Sequence, residues 1–226
     1  MKRITFISDT HTKHDMLNLP GGDILIHAGD LMNSGYSANE IHYFLSWLEK
    51  QDYEEIIFIA GNHDIMFESS PHNVDEILSN YPIVTYLKDG WVKIDGIKIY
   101  GSPWQPEFYN WAFNLPRGGK ELEEKWSKIP NDVDILITHG PPQGHLDTSG
   151  PPYNQPNLGC ELLRIAVDKI KPKIHVFGHI HGGAGYKTEN ETLFINAAVL
   201  NEKYEQVSNG VTIDWDFVTN KFNIIE

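Results

Sequence analysis

Five strand-type runs in this chain end on the same kind of chemistry. Residues 4–7 lead to Asp9 and His11, residues 23–28 to Asp30, and residues 55–60 to Asn62, His63 and Asp64. Further along, residues 134–138 lead to His139, and residues 174–177 to His179 and His181. A brief apolar run bounded by glycine and polar residues has the pattern of a buried strand. Loops at strand carboxyl ends are where open α/β sheets assemble their sites. The recurrence therefore predicts an α/β fold with its chemistry gathered at one rim. Asp9 and His11, like His179 and His181, are two residues apart, and on an extended backbone such pairs project to one side.

The rest of the chain supplies the cover. Ser37-Ala-Asn-Glu40 has the form of a capping box, and Ile41, Phe44, Leu45 and Leu48 make the apolar stripe of a helix. Helices are also expected over 73–78, 121–128 and 161–170, the last offering Leu162, Ile165 and Val167 to the core. Strands are expected over 84–86, 91–94 and 97–101, with Asp95-Gly96 turning the last two into a hairpin. A short strand over 193–195 and a hairpin over 211–218 and 222–225 close the chain. No linker or compositional break interrupts the 226 residues, which predicts a single domain over 1–226.

Composition narrows the function. A formal net charge of -13 argues against a protein that grips long nucleic acid by neutralising phosphates. A small phosphorylated substrate stays compatible with that charge, because bound divalent cations would reverse the local field. No apolar run reaches membrane-spanning length, and no signal-peptide pattern precedes the first strand. Cys160 is the only cysteine, so no internal disulfide can form and a cytoplasmic setting is expected.

The strand exits offer four imidazoles (His11, His139, His179, His181), two carboxylates (Asp9, Asp30) and the amide of Asn62. Nitrogen and oxygen donors without thiolate suit Mn, Fe, Co, Ni or Zn, and seven of them suffice for two divalent metal ions sharing one carboxylate. The ordered blocks Asp-x-His, Gly-Asp, Gly-Asn-His-Asp, His and Gly-His-x-His resemble those of the calcineurin-like metallophosphoesterases. Asp23-Ile-Leu-Ile-His-Ala-Gly-Asp30, Gly101-Ser-Pro-Trp104-Gln-Pro, Phe113-Asn-Leu-Pro-Arg117-Gly and Thr138-His-Gly-Pro-Pro142 are similar to the metallophosphoesterase-domain-containing (MPPED) branch. The segment after Asn201 shares little with it. The resemblance implies a four-layer αββα sandwich.

It also implies that Asp9, His11 and His181 hold one metal, that Asn62, His139 and His179 hold the other, and that Asp30 bridges them. Manganese is the leading candidate for both positions. His63 would stabilise charge or protonate the leaving group, with Asp64 holding its ring. The implied reaction is hydrolysis of small phosphodiesters, such as cyclic nucleotides, by a water activated between the metals. A phosphoprotein phosphatase of the same fold is disfavoured because no arginine follows Asp30 in Gly29-Asp-Leu-Met-Asn-Ser-Gly35. The acidic balance weighs against a nuclease, and the intact ligand set against a nucleotide-binding regulator without catalysis.

Other residues divide between core and substrate. Trp104, Phe108, Trp111 and Phe113 lie in a loop without helical or strand period, where they could pack or could stack on a base. Arg117 could reach a phosphate, and His145, on the loop after His139, could touch substrate. His27 and His175 sit inside strands and are expected to be buried and hydrogen-bonded. Cys160 is expected to pack as a small buried residue.

Overall fold

The computed structural model describes residues 1–225. The first half builds β1 (Lys2–Ile7), β2 (Gly22–Ala28), α1 (Ala38–Leu48), β3 (Tyr53–Ile59), α2 (Ile65–Ser69), α3 (Pro71–Leu78) and β4 (Val84–Tyr86). It continues with the hairpin β5 (Gly90–Ile94) and β6 (Ile97–Ser102), a two-residue pair β7 (Gln105–Pro106) and β8 (Asn114–Leu115), and α4 (Lys120–Ser127). The second half adds β9 (Ile135–Thr138), α5 (Glu161–Ile170), β10 (Ile174–Phe177), β11 (Gly185–Glu189), β12 (Thr192–Asn196), β13 (Val211–Asp216) and β14 (Lys221–Ile225).

Two six-stranded sheets result, in the orders β14-β13-β1-β2-β3-β4 and β11-β12-β10-β9-β6-β5. The inner strands of each run parallel, and the closing hairpin joins the first sheet with β13 antiparallel to β1. Alternation along each strand decides what it faces. Ile24 and Ile26 of β2 turn toward the space between the sheets, where Ile57, Ile59, Ile99, Ile137, Ile174, Val176 and Trp215 meet them. Leu25 turns the other way, onto Phe44 and Leu45 of α1. Across the molecule, Leu136 and Phe177 pack under Leu122 and Trp126 of α4 and Leu163 and Val167 of α5. Helices, sheet, sheet, helices: this is the expected αββα sandwich, with central strands buried on both faces.

Several local expectations change. The Ser37 side chain caps nothing, and the Glu40 carboxylate accepts from the Asn33 amide (2.8 Å) and the Ser34 hydroxyl (3.0 Å) instead. The capping-box pattern is therefore used to hold the preceding turn. Ile165 is 65% exposed, because Leu163 and Val167 define the inward face of α5. Neither α2 nor β11 is foreseen by periodicity: α2 is too short, and β11 alternates half-buried and exposed positions at a sheet edge.

Candidate metal centre

The five exits do not run on as extended strand, so the expected same-side projection is not how the site is built. β1 stops at Ile7, and Asp9 and His11 take left-handed φ values of 56° and 41°. Asp30 (φ 60°) and His179 (φ 66°) do the same after β2 and β10, and His181 opens a 3-10 turn. Such conformations cost L-residues energy and persist only where the surroundings hold them. Here the brace is mutual: the Asp9 amide donates to Gly29 O, the His11 amide to Asp30 O, and the His179 amide to the Asp9 carboxylate at 3.0 Å. That last bond ties the two sheets together at one rim. Gly61 and Gly178 leave the room required, since a Cβ on the first would collide with Asp30 and the His139 ring, and on the second with Asp9 and Ser8.

Three groups of donor atoms converge: Asp9, His11 and His181; Asp30, His139 and His179; and His11, Asp30 and His63, each within 4.8 Å. Asp30 Oδ2 lies 3.7 Å from His11 Nε2 and 3.4 Å from His139 Nε2, so it stands between the groups. His181 Nε2 is 3.4 Å from Asp9 Oδ1, and His139 Nε2 is 3.0 Å from Asn62 Oδ1.

The ring tautomers follow from the backbone. His11 Nδ1 lies 3.1 Å from Met32 O, His63 Nδ1 2.8 Å from Asn33 O, His139 Nδ1 2.9 Å from Ala28 O, and His181 Nδ1 2.9 Å from Asn201 O. A carbonyl can only accept, so each Nδ1 carries a proton and Nε2 is the atom left facing inward, with a lone pair wherever it is not itself protonated. His11 Nε2 is buried with no hydrogen-bond partner. A buried orphan acceptor beside two carboxylates and further inward-facing imidazoles is a donor set that fits divalent cations.

The charges agree. Burial opposes the charge on Asp9 and Asp30, but His181 beside the first and His139 beside the second outweigh it and hold both carboxyls below the usual range. Burial likewise works against charge on His139 and His181, yet Asp30 and Asp9 raise them to about 9. Protons on these two rings take the place of the positive charge that cations would bring. His11 and His179 are pushed down by burial, to about 4 and about 3.

Residues 2–183 match the family model described as calcineurin-like phosphoesterase. The human metallophosphoesterase domain-containing protein 1 is 42% identical over 233 residues, a match spanning 94% of this chain and 70% of that protein. The chain belongs to the calcineurin-like phosphoesterases. Solved structures share the fold: TT1561 of Thermus thermophilus superposes with a TM-score of 0.66 at 14% identity, covering 99% of this chain and 97% of that one. The phosphopantetheinyl hydrolase PptH from Mycobacterium tuberculosis does so with 0.59 at 16% identity, covering 89% and 90%. The protein is thus a metal-dependent hydrolase acting on phosphoester bonds. No helix among the described residues is long and apolar enough to cross a membrane.

In this phosphoesterase the donor groups floor a cleft of about 530 Å³, whose walls include His63, Phe108, Tyr109, Ser149, Tyr153 and Tyr204. Asp64 does not hold the His63 ring. Its buried carboxylate accepts from the amides of Gly61 (2.7 Å), Asp30 (2.9 Å), Leu31 (3.4 Å) and Met32 (2.9 Å), pinning the exits of β2 and β3 to each other. Burial and the Asp30 charge raise it to about 8, against the pull of those amides. Trp111 stacks on His63 with ring centroids 4.1 Å apart, and Phe108 meets His179 edge-on at 5.2 Å.

Trp104 stays out of the cleft, donating from Nε1 to Asp89 beneath the Lys125 ammonium. Arg117 is occupied by Gly159 O, Leu158 O and the Glu161 carboxylate, so it braces the 140–159 loop. His145 is buried against Phe194 (3.8 Å, nearly parallel) under a separate groove beside α5, away from the donor cluster. His27 and His175 are buried and bond to Thr10 and Thr138, as their strand positions suggest. Cys160 is buried, and its Sγ accepts from the Leu163 amide at the start of α5. Asn201, Glu202 and Tyr204 were not signalled by any motif, and a backbone carbonyl such as Asn201 O carries no signature in sequence.

Proposed function

We propose that Asp9, His11 and His181 hold one divalent cation, that Asn62, His139 and His179 hold a second, and that Asp30 serves both. Manganese is the leading ion for each position. When bound, the cations would supply a water of lowered pKa and positive charge for the phosphoryl oxygens. The chain's own groups do the rest. With its Nδ1 proton anchored on Asn33 O and its face against Trp111, His63 turns Nε2 to the cleft. From there it donates to the departing oxygen when protonated.

The substrate class is a small phosphodiester, a cyclic nucleotide or a relative of one. One observation carries this reading: among the described residues, no lysine or arginine lines the cleft, and Glu202 adds a carboxylate to its wall. A phosphomonoester near neutral pH bears close to two negative charges, whereas a diester bears one. Without a basic side chain, the dianion has only the cations to balance it, so the singly charged ester fits better. Phe108, Tyr109 and Tyr153 offer flat faces for an organic group on that ester. We further read residues 1–226 as one working domain, placed in the cytoplasm in keeping with a single, buried thiol.

Bis(p-nitrophenyl) phosphate and p-nitrophenyl phosphate, assayed across a series of divalent ions, test the proposal. Faster diester turnover with at least one ion is expected, and 3′,5′-cyclic nucleotides should then be cleaved under the same conditions. A higher kcat/KM for the monoester would overturn the diesterase reading. No turnover with any ion would leave a nucleotide-binding regulator in its place.

A further inference from the structure

Residues 201–207 form a strap over the donor cluster, beyond the family match that ends at residue 183. The strap is closed on itself. The Asn201 amide donates to Glu205 O (2.9 Å), the Tyr204 amide donates to Asn201 O (2.8 Å), and the Asn201 side-chain oxygen accepts from the amides of Lys203 and Glu205. Its two ends are fixed where Leu200 pairs with Gln206 and the Val207 amide returns to Val199 O. It is also tied from outside, because Lys13, on the loop after β1, donates to Tyr204 O at 2.6 Å.

Two of its features face the cluster. Asn201 O accepts the Nδ1 proton of His181. Tyr204, left-handed at φ 60° and half-buried, sets its ring edge-on against His11 (centroids 4.8 Å, 68°) and His181 (5.7 Å, 74°). The phenyl edge therefore touches both imidazoles of one group and neither of those beside Asn62.

We infer that Tyr204 is a positioning residue for the Asp9–His11–His181 cation site, acting through ring contact rather than through its hydroxyl. The inference rests on the two-cation reading above. A single hydrogen bond at Nδ1 limits the tilt of an imidazole about its Cβ–Cγ bond without fixing it, and a wedge against both rings narrows it further. Groups that orient ligands from outside commonly change metal affinity by roughly tenfold to a hundredfold when lost. The strap thus tunes one site of the pair and leaves its neighbour alone.

Mn2+ titration of the metal-free full-length protein, with free ion counted by electron paramagnetic resonance, reads this without recourse to activity. Wild type should show two sites, one of them removed by Asp9→Asn. Tyr204→Ala should weaken that same site by roughly tenfold or more and leave the other unchanged, while Tyr204→Phe keeps most of the affinity. Lys13→Ala, which frees the strap without touching the cluster, should weaken the same site in the same direction and serves if Tyr204→Ala does not fold. Wild-type affinities in Tyr204→Ala, or in Lys13→Ala where that variant stands in, would overturn the strap's role and leave the two-cation reading intact. So would a Phe variant as weak as Ala. Absence of any Mn2+ site in wild type would remove both.

Discussion

At the residue scale, the site works through what each side chain is denied. Four imidazoles have Nδ1 committed to backbone carbonyls, so only Nε2 is left for chemistry. His63, partly buried like His181, differs from the others in stacking on Trp111, which suits a group that meets substrate. His63→Ala should keep metal stoichiometry while kcat falls by roughly 10²–10³, the usual loss for one donor to developing charge. Elemental analysis beside single-turnover kinetics checks it, and metal lost in parallel with rate would move His63 among the ligands. Asp64 predicts a different failure. In Asp64→Asn an amide NH2 must face some of the amides that the carboxylate now accepts, and each donor left unpaired costs about 1–3 kcal/mol. Urea unfolding should show that loss, and unchanged stability would mean the loops hold themselves.

At the element scale, the strands end where they do because the rim has no space for more side chain. Parallel strands aim their carboxyl ends at one edge, and β1, β2 and β3 of one sheet meet β9 and β10 of the other there. Gly178, between β10 and His179, faces Ser8 and Asp9 so closely that any Cβ must displace them. Gly178→Ala should therefore cost about 1–3 kcal/mol of stability, typical of overpacking, and weaken cation binding more than a similar change away from the rim. Differential scanning calorimetry with and without Mn2+ tests this through the metal-dependent rise in Tm. A full rise in the variant would show that the exits tolerate displacement.

At the scale of the whole molecule, two properties depend on the sandwich. The first is the closing hairpin: β13 pairs with β1 along its length, and its Trp215 and Ile213 fill the space between the sheets. A chain ending at Ser208 should lose near-ultraviolet circular dichroism and cooperative unfolding, and a native-like spectrum would show the hairpin to be accessory. The second is pH. Burial pushes His14 down to about 4 and holds His175 well below its ordinary value, so both stay neutral in the folded chain while the unfolded chain takes up protons below pH about 6.5. Their stability contribution is whole above that pH and is lost as pH falls from there toward the folded values, at up to about 1.4 kcal/mol per pH unit for each ring. Urea midpoints between pH 6.5 and 4 should fall less steeply in His14→Phe than in wild type, and parallel slopes would contradict the assignment.

Much of this was legible beforehand. The order of apolar runs and exits gave the α/β class, the strand positions and the side chains that gather at the rim, because burial on both faces leaves an unbroken apolar signature and site chemistry restricts residue type. Asp64 and His145 were misplaced for one reason: adjacency in the chain says which residues share a loop, not which way a buried side chain turns to satisfy its neighbours. The strap went unseen because its contribution to His181 is a carbonyl and its ring contact joins residues about two hundred positions apart. Composition and local pattern thus determined which atoms could bind and which strands would carry them. Tertiary packing alone decided the left-handed exits, the tautomers and the wall of the cleft, since these are set by backbone carbonyls and close approaches that exist only once the two sheets meet.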